Sequence, residues 1–316
     1  MQRHAFLASG AAALAAAGRA RAFAASDVSV LYAGSLVTIF EHAIVPALAK
    51  RGLNVLGEPK GSVALANLIT SGLRKPDVFI SADTAVIARL VGPNAPAAWY
   101  ATFASTRLVI GYSPASAFAH DFVDVNRGEK SLTSVLLEPG LKIGRTDPAL
   151  DPKGYRSIIA AKLLQADGGP PDFARRLLGA DENPSQIFPE ETLLARLDTG
   201  ELDAAFLYAT ESVARGVPAV ELPKTANLGD PAEAGHYATQ SVTIDGVTRT
   251  GSPSVYALTI LADAPHKDAA AAFVAYLFSD AGRRLFGDAG VTALRPQIVG
   301  DKSAVPSAVS AATASA

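Results

Sequence analysis

The chain has 316 residues, 49% of them hydrophobic, and a formal net charge of −2 at pH 7. That is apolar material for a large core and roughly two domains, so intrinsic disorder is excluded as the default state. The near-neutral balance without a basic stripe argues against nucleic acid or an anionic membrane surface as partner. With no cysteine, disulfides, thiolate metal sites, a catalytic cysteine and a lipoprotein anchor are all excluded.

The chain opens on MQRHAFLASGAAALAAAGRARAFA, with a basic Arg3, an apolar run from Ala5 to Ala17 and Ala22-Phe23-Ala24 as an A-x-A site. This predicts a secretory signal peptide over 1–24; the alternative is a short buried helix. The QRHAFLAS start is similar to a twin-arginine leader with one arginine missing, so the export route stays open. Cleavage would remove Arg3, Arg19 and Arg21 and no acid, leaving a mildly acidic mature chain. No other stretch approaches the length of a membrane span, so a soluble exported product without membrane insertion is expected.

Strand-like and helix-like segments then alternate, the mark of an α/β architecture with mainly parallel sheets flanked by helices. VSVLYA reads as a strand and Val37 to Lys50 as a helix, with Gly34 and Ser35 at the joint. NVLGEPKGS is a strand and turn ending at Gly61 and Ser62, and a helix follows from Val63 to Ser71. PDVFISAD delivers Ser81 and Asp83 ahead of the helix TAVIARLV. Ligands of open α/β sheets sit at the carboxyl ends of strands, so these three turns could line one mouth.

A second run starts at TRLVIGYSPAS, whose Leu108 to Ile110 would cross into another domain. In LKIGRTDPALDPKGYRSIIAAKLL a strand ends in a Pro- and Asp-rich loop, and Gly154 and Tyr155 open a helix. ETLLARLDTGELDAAFLYATES gives a helix, a Gly turn and a strand ending at Tyr208. SVYALTILADAPHKDAAAAFVAYLFSDAGRRLF then returns as a strand and a helix with Phe273, Val274, Leu277 and Phe278 at helical spacing. The expected division is a first lobe of 25–107 and 252–300, a second lobe of 108–251, linkers near 106–112 and 248–256 acting as a hinge, and a disordered tail at 301–316.

No G-x-S-x-G, H-E-x-x-H, P-loop or G-x-G-x-x-G is present. His4, His42, His120, His236 and His266 are scattered without metal-ligand spacing. No catalytic residue, free metal cation or cofactor is therefore expected. What remains is a set of hydroxyls and backbone donors at strand-to-helix turns. A tetrahedral dianion carries no proton at neutral pH, so a selective site must offer donors only. Helix N-termini with a few hydroxyls do this. Taken singly, Ser35 and Ser62 are equally well N-caps, as is Asp83 before TAVIARL. Arg156 is either a structural ion pair or one that bridges the cleft. Tyr208 is either a site residue or a tyrosine at the core edge.

AGSL, GSVALANLI, PDVFISAD, RLVIGYSP, DPKGYRS, GELDAAFLYATES and AAFVAYLFSDAGRRLF occur in the order found in molybdate/tungstate-binding proteins of ABC importers, which the chain resembles over residues 28–295. DP-x-GYRS is the text of the branch typical of archaea. The resemblance implies a two-lobed periplasmic-binding-protein (type II) fold and a periplasmic, monomeric receptor that delivers molybdate or tungstate to a membrane ABC permease. It also implies oxyanion donors at Ser35 and Ser62 from the first lobe and contributions from Asp151 and Tyr208 in the second, with Gly34, Gly61, Asp83 and Arg156 supporting. In the archaeal branch two carboxylates expand the metal's coordination, one in DP-x-GYRS and one just before the later Tyr. Here that second position is Leu207, and Glu211 lies off it. Expanded coordination is therefore not expected, and Asp151 is expected to orient its loop; otherwise its charge opposes a dianion by several kcal/mol in a poorly screened cleft.

The same fold binding sulfate or phosphate is the nearest alternative, and Asp151 as a proton acceptor would favour phosphate. An exported hydrolase using Ser35 as nucleophile lacks a histidine base near any of the turns. A periplasmic sensor or scaffold would bind the same ligand and differ only in its partner.

Overall fold

The computed structural model describes residues 26–316. The predicted signal peptide lies outside the described residues.

The chain first builds most of one sheet. β1 (Ser26–Ala33) leads through a tight turn at Gly34–Leu36 into a broken helix, with α1 (Val37–Ile39) and α2 (Val45–Ala49) joined by a π turn at Phe40–Ile44. A regular helix was expected from Val37 to Lys50. Pro46 has no N–H to donate, and the widened turn, with Val45 N–H bonded to the Phe40 carbonyl, carries the chain across that gap. β2 (Leu53–Lys60), α3 (Ser62–Thr70), β3 (Val78–Ser81), α4 (Thr84–Ala88) and β4 (Trp99–Ser105) follow. All four residues of β3 are buried, as befits a central strand covered on both faces.

The second sheet begins two residues later with β5 (Leu108–Tyr112). Next come α5 (Ala119–Asn126), α6 (Leu132–Val135), β6 (Ile143–Gly144), α7 (Pro152–Ala166), α8 (Phe173–Leu178), α9 (Glu190–Asp198) and β7 (Ala204–Tyr208). α10 (Ala209–Arg215), β8 (Ala219–Glu221) and α11 (Ala234–Tyr237) follow, and β9 (Ser241–Ile244) and β10 (Val247–Thr250) form a hairpin that is a separate two-stranded sheet. The chain then returns to the first sheet through β11 (Val255–Ile260), α12 (Lys267–Phe278), α13 (Asp280–Asp288), β12 (Thr292–Gly300) and α14 (Ser307–Ser315).

Two lobes result, one on a six-stranded sheet of order β12-β4-β11-β3-β1-β2 and one on a four-stranded sheet of order β6-β7-β5-β8. The two crossovers lie side by side, with Thr106 N–H bonded to the Ser254 carbonyl at 3.0 Å.

Two expectations are corrected. The sheets are mixed: β1 pairs in parallel with β2 and β3, and β6 with β7, whereas β11, β12, β5 and β8 pair antiparallel. The strands that follow the two crossovers, β5 and β11, run against their neighbours, and β12 runs back along β4 after α13. The tail expected to be disordered forms a turn at Lys302–Ala304 and then α14, with Val305 and Val309 buried in the main core. Low complexity is compatible with order here because alanine favours helix and the two valines supply an apolar stripe.

Candidate functional site

Ser35 and Ser62 both lie buried at strand-to-helix turns of the first lobe. Neither caps its helix. The Ser35 hydroxyl pairs with the Tyr256 hydroxyl from β11 at 2.9 Å. Ser62 Oγ accepts the Ala82 N–H at 3.0 Å, which ties the turn before α3 to the turn before α4 and leaves the Ser62 proton as a donor. Asp83 does cap α4, its Oδ1 accepting from Ala85 N–H at 2.6 Å.

Across the cleft stands the first turn of α7. The helix begins at Pro152 rather than near Gly154, with Asp151 as N-cap: Oδ1 accepts the Lys153 N–H at 2.8 Å. Proline at the first helical position has no donor to waste and fixes φ for the helix. The loop ahead of it touches the first lobe directly, since the Leu150 carbonyl accepts the Ala64 N–H at 3.2 Å. Only glycine permits this approach at residue 61, where a Cβ would stand 2.4 Å from the Leu150 oxygen.

One turn further along α7, Tyr155 and Arg156 reach the first lobe. The Tyr155 hydroxyl donates to Asp83 Oδ2 at 2.5 Å. Arg156 Nη2 is 2.9 Å from the same oxygen, and Nη1 donates to the Ala82 carbonyl at 2.7 Å and to the Tyr208 hydroxyl at 2.9 Å. Arg156 is thus both alternatives at once, a structural pair that spans the cleft. Burial opposes its charge, but Tyr208, Asp83 and Tyr155 outweigh that and hold its pKa above the usual guanidinium value. Tyr208 is fully buried rather than at a core edge. Burial pushes its pKa up to about 12 despite Arg156. Its oxygen accepts from Arg156, so its proton is left to donate.

A second charged group was not anticipated. Lys153, the variable position of DP-x-GYRS, is completely buried with its ammonium 2.5 Å from Glu211 Oε1 and 3.6 Å from Glu190 Oε2. Burial opposes its charge, but Glu190, Glu211 and Asp151 raise its pKa and keep it protonated. Glu211 Oε2 accepts the Tyr208 N–H at 2.7 Å, so a glutamate in the first turn of α10 reaches back to the residue before the helix, which itself supplies no side-chain cap. Glu190 opens α9 and lies over Gly34: a Cβ there would be 2.8 Å from Glu190 Oε2. No sequence signal separates Glu190 from an ordinary first-turn acid.

The cleft therefore gathers Asp83, Asp151, Glu190 and Glu211 around Lys153 and Arg156. Burial first, then the neighbouring carboxylates, raises the Asp151 and Glu190 carboxyls above their usual range, Glu190 well above it, against the pull of Lys153. Leu207 is buried in the small core beneath β5 and β7 and offers nothing to the cleft. Among the described residues, no group of three or more His, Asp or Glu is placed to hold a metal cation, and no helix is long and apolar enough to cross a membrane.

Comparison with known proteins gives a consistent picture. The family model described as bacterial extracellular solute-binding protein matches residues 28–292. A Haloferax volcanii protein provisionally named an ABC transporter molybdenum-binding protein is 38% identical over 239 residues, covering 74% of this chain and 72% of its own. The molybdate/tungstate-binding protein WtpA of Pyrococcus abyssi is 27% identical over 297 residues, covering 85% of each. The solved periplasmic molybdate-binding protein of Azotobacter vinelandii superposes with a TM-score of 0.58 at 16% identity, covering 85% of this chain and 100% of its own, and so shares the fold.

Proposed function

The chain belongs to the family of bacterial extracellular solute-binding proteins, and we propose that it captures molybdate or tungstate between its lobes and delivers it to a membrane ABC permease. The observation that carries this is the convergence on one cleft of Ser35, Ser62, Tyr208 and the N-terminal turn of α7, drawn from both lobes. Hydroxyls and helix-terminal N–H groups are donors, and donors are what a fully deprotonated tetrahedral oxyanion requires. The molybdenum named for one relative and the molybdate and tungstate named for another supply the ligand class.

Each group has a task in this reading. Ser35 and Ser62 donate from the first lobe. Tyr208 donates from the second while its oxygen is held by Arg156, and Gly34 and Gly61 let the opposing lobe approach. Asp151 orients its loop by capping α7, and the buried Leu207 leaves the anion tetrahedral. Asp83 and Arg156 form the latch that closing the lobes completes. Binding then shifts the population toward the closed form that the permease recognises.

A binding role without turnover also fits the environment of Ser35. Its hydrogen-bond partner is the buried Tyr256, whose phenol is held by burial well above its usual pKa and therefore cannot serve as the base that activates the serine. The protein is proposed to be exported to the periplasm and to act as a monomer.

Calorimetric titration of the mature protein, from Ala25 on, with molybdate, tungstate, sulfate and phosphate at matched pH and salt tests this. Tight binding of the first two with little heat from sulfate is the expected result. Binding of sulfate or phosphate alone keeps the receptor and changes its cargo. Silence toward all four overturns the oxyanion reading.

A further inference from the structure

Glu190 stands where a bound anion would compete with it. Its carboxyl covers Gly34, one residue before Ser35, and only about a tenth of the side chain is exposed. The ionisable groups facing it are Lys153 and Asp151 at the start of α7 and Glu211 at the start of α10. The turn opposite contributes Gly34 and Ser35, neither of which titrates at working pH. Lys153 is already bound to Glu211 Oε1 and sits a full ångström further from Glu190. One cation therefore serves two carboxylates, with the Asp151 carboxyl close by. A dianion entering beside Ser35 would add two more negative charges within a few ångströms, where each like-charge contact is repulsive.

Resting on the oxyanion reading above, we propose that Glu190 is a built-in competing anion of the cleft and takes up one proton from solvent when the ligand binds. The carboxylate oxygen receives the proton and becomes a neutral O–H that can donate to an oxyanion oxygen. Nothing is oxidised or reduced. Ligand capture and proton uptake are then linked, and the sign follows: the closed, loaded form binds the extra proton, so affinity falls as pH rises above the open-cleft pKa of Glu190, by about tenfold per pH unit at most. The raised carboxyl pKa in the closed cleft agrees with this direction. The residue would also shape selectivity, because an anion that brings its own proton, such as hydrogen phosphate, can meet the Glu190 carboxylate without that uptake.

The test is titration of the mature protein with molybdate between about pH 5.5 and 8.5, in pairs of buffers with different ionisation enthalpies, which counts protons per bound anion. Wild type is expected to take up a maximum of about one proton, Glu190→Gln none, and the variant is expected to bind about tenfold tighter than wild type at the alkaline end. Glu190→Ala provides a second variant that removes the carboxyl without a new polar group. Equal proton counts in wild type and both variants overturn the assignment. So does weaker binding by both variants at every pH, which would make Glu190 a ligand, or loss of proton uptake in Asp151→Asn instead. Failure of every protein to bind molybdate or tungstate overturns the oxyanion reading itself, a distinct result.

Discussion

Arg156 of the second lobe and Asp83 of the first form a buried ion pair, Nη2 to Oδ2 at 2.9 Å, and the same carboxylate oxygen receives the Tyr155 hydroxyl. A pair of this kind is a conditional contact: it exists with the lobes closed and must be given up, and hydrated, when they part. Its net contribution to stability is small, but removing one partner leaves an unpaired charge in a dry site.

Asp83→Ala is expected to destabilise the closed protein by about 3–5 kcal/mol, with loss of the α4 cap included. Asp83→Asn, which retains the cap oxygen, should cost less. Urea unfolding of the three proteins with ligand present orders them. Equal stability of wild type and Asp83→Ala would show that the pair is not formed in solution.

Gly61→Ala is expected to hold the lobes apart. The added methyl would lie 2.4 Å from the Leu150 oxygen and 3.1 Å from Asp151 Cβ, and the nearest atom is backbone that cannot rotate away. Overpacking of this kind costs about 1–3 kcal/mol, or roughly five- to 140-fold in ligand affinity when only the closed form binds. Small-angle scattering should show the radius of gyration failing to contract on adding molybdate, while thermal stability without ligand stays close to wild type.

Tyr208→Phe is expected to weaken oxyanion binding with a modest stability change, about 0.5–1.5 kcal/mol for the lost hydrogen bond, because Arg156 keeps Ala82 and Asp83. With the Tyr208 phenol pushed up to about 12, the wild-type affinity should carry no tyrosine titration below about pH 10. Calorimetry of both proteins at pH 7 and 9 checks both statements.

Stability should respond to acid in two opposite senses. The Asp77 carboxyl is held below its ordinary 3.8: burial opposes this, but the backbone N–H groups and side chains of Ser29 and His266 outweigh it. Its contribution is present above that value and lost as pH falls below it. Asp151 and Glu190 are raised, so the closed form they inhabit is stabilised as pH falls from neutrality towards their ordinary 3.8 and 4.5. The melting temperature is expected to rise on mild acidification and then drop below about pH 4. Asp77→Asn should lose most of the drop, and Glu190→Gln part of the rise.

Much of the site was legible because its parts are local. A strand that ends in a small or hydroxyl residue and feeds a helix needs only a few neighbouring residues to be recognised, so Ser35, Ser62 and Asp83 stood out in AGSL, GSVALANLI and PDVFISAD. Asp151 could be read as a cap because Asp-Pro ahead of a helix is a short-range signal. Lys153, by contrast, sat inside the DPKGYRS text as its variable residue. A buried lysine looks like any other until its partners are known.

The sequence by itself determined the α/β alternation, the two crossovers and the family text, because hydrophobic period, capping and turn chemistry act over a few residues. Only the tertiary structure decided which charges meet. Closing one lobe on the other set Arg156 on Asp83 and Glu190 over Gly34, and the folding of the second lobe itself seated Lys153 between two glutamates. These contacts join residues far apart in the chain. Their energies depend on distance and on the exclusion of water, quantities that do not exist until both lobes are folded and brought together.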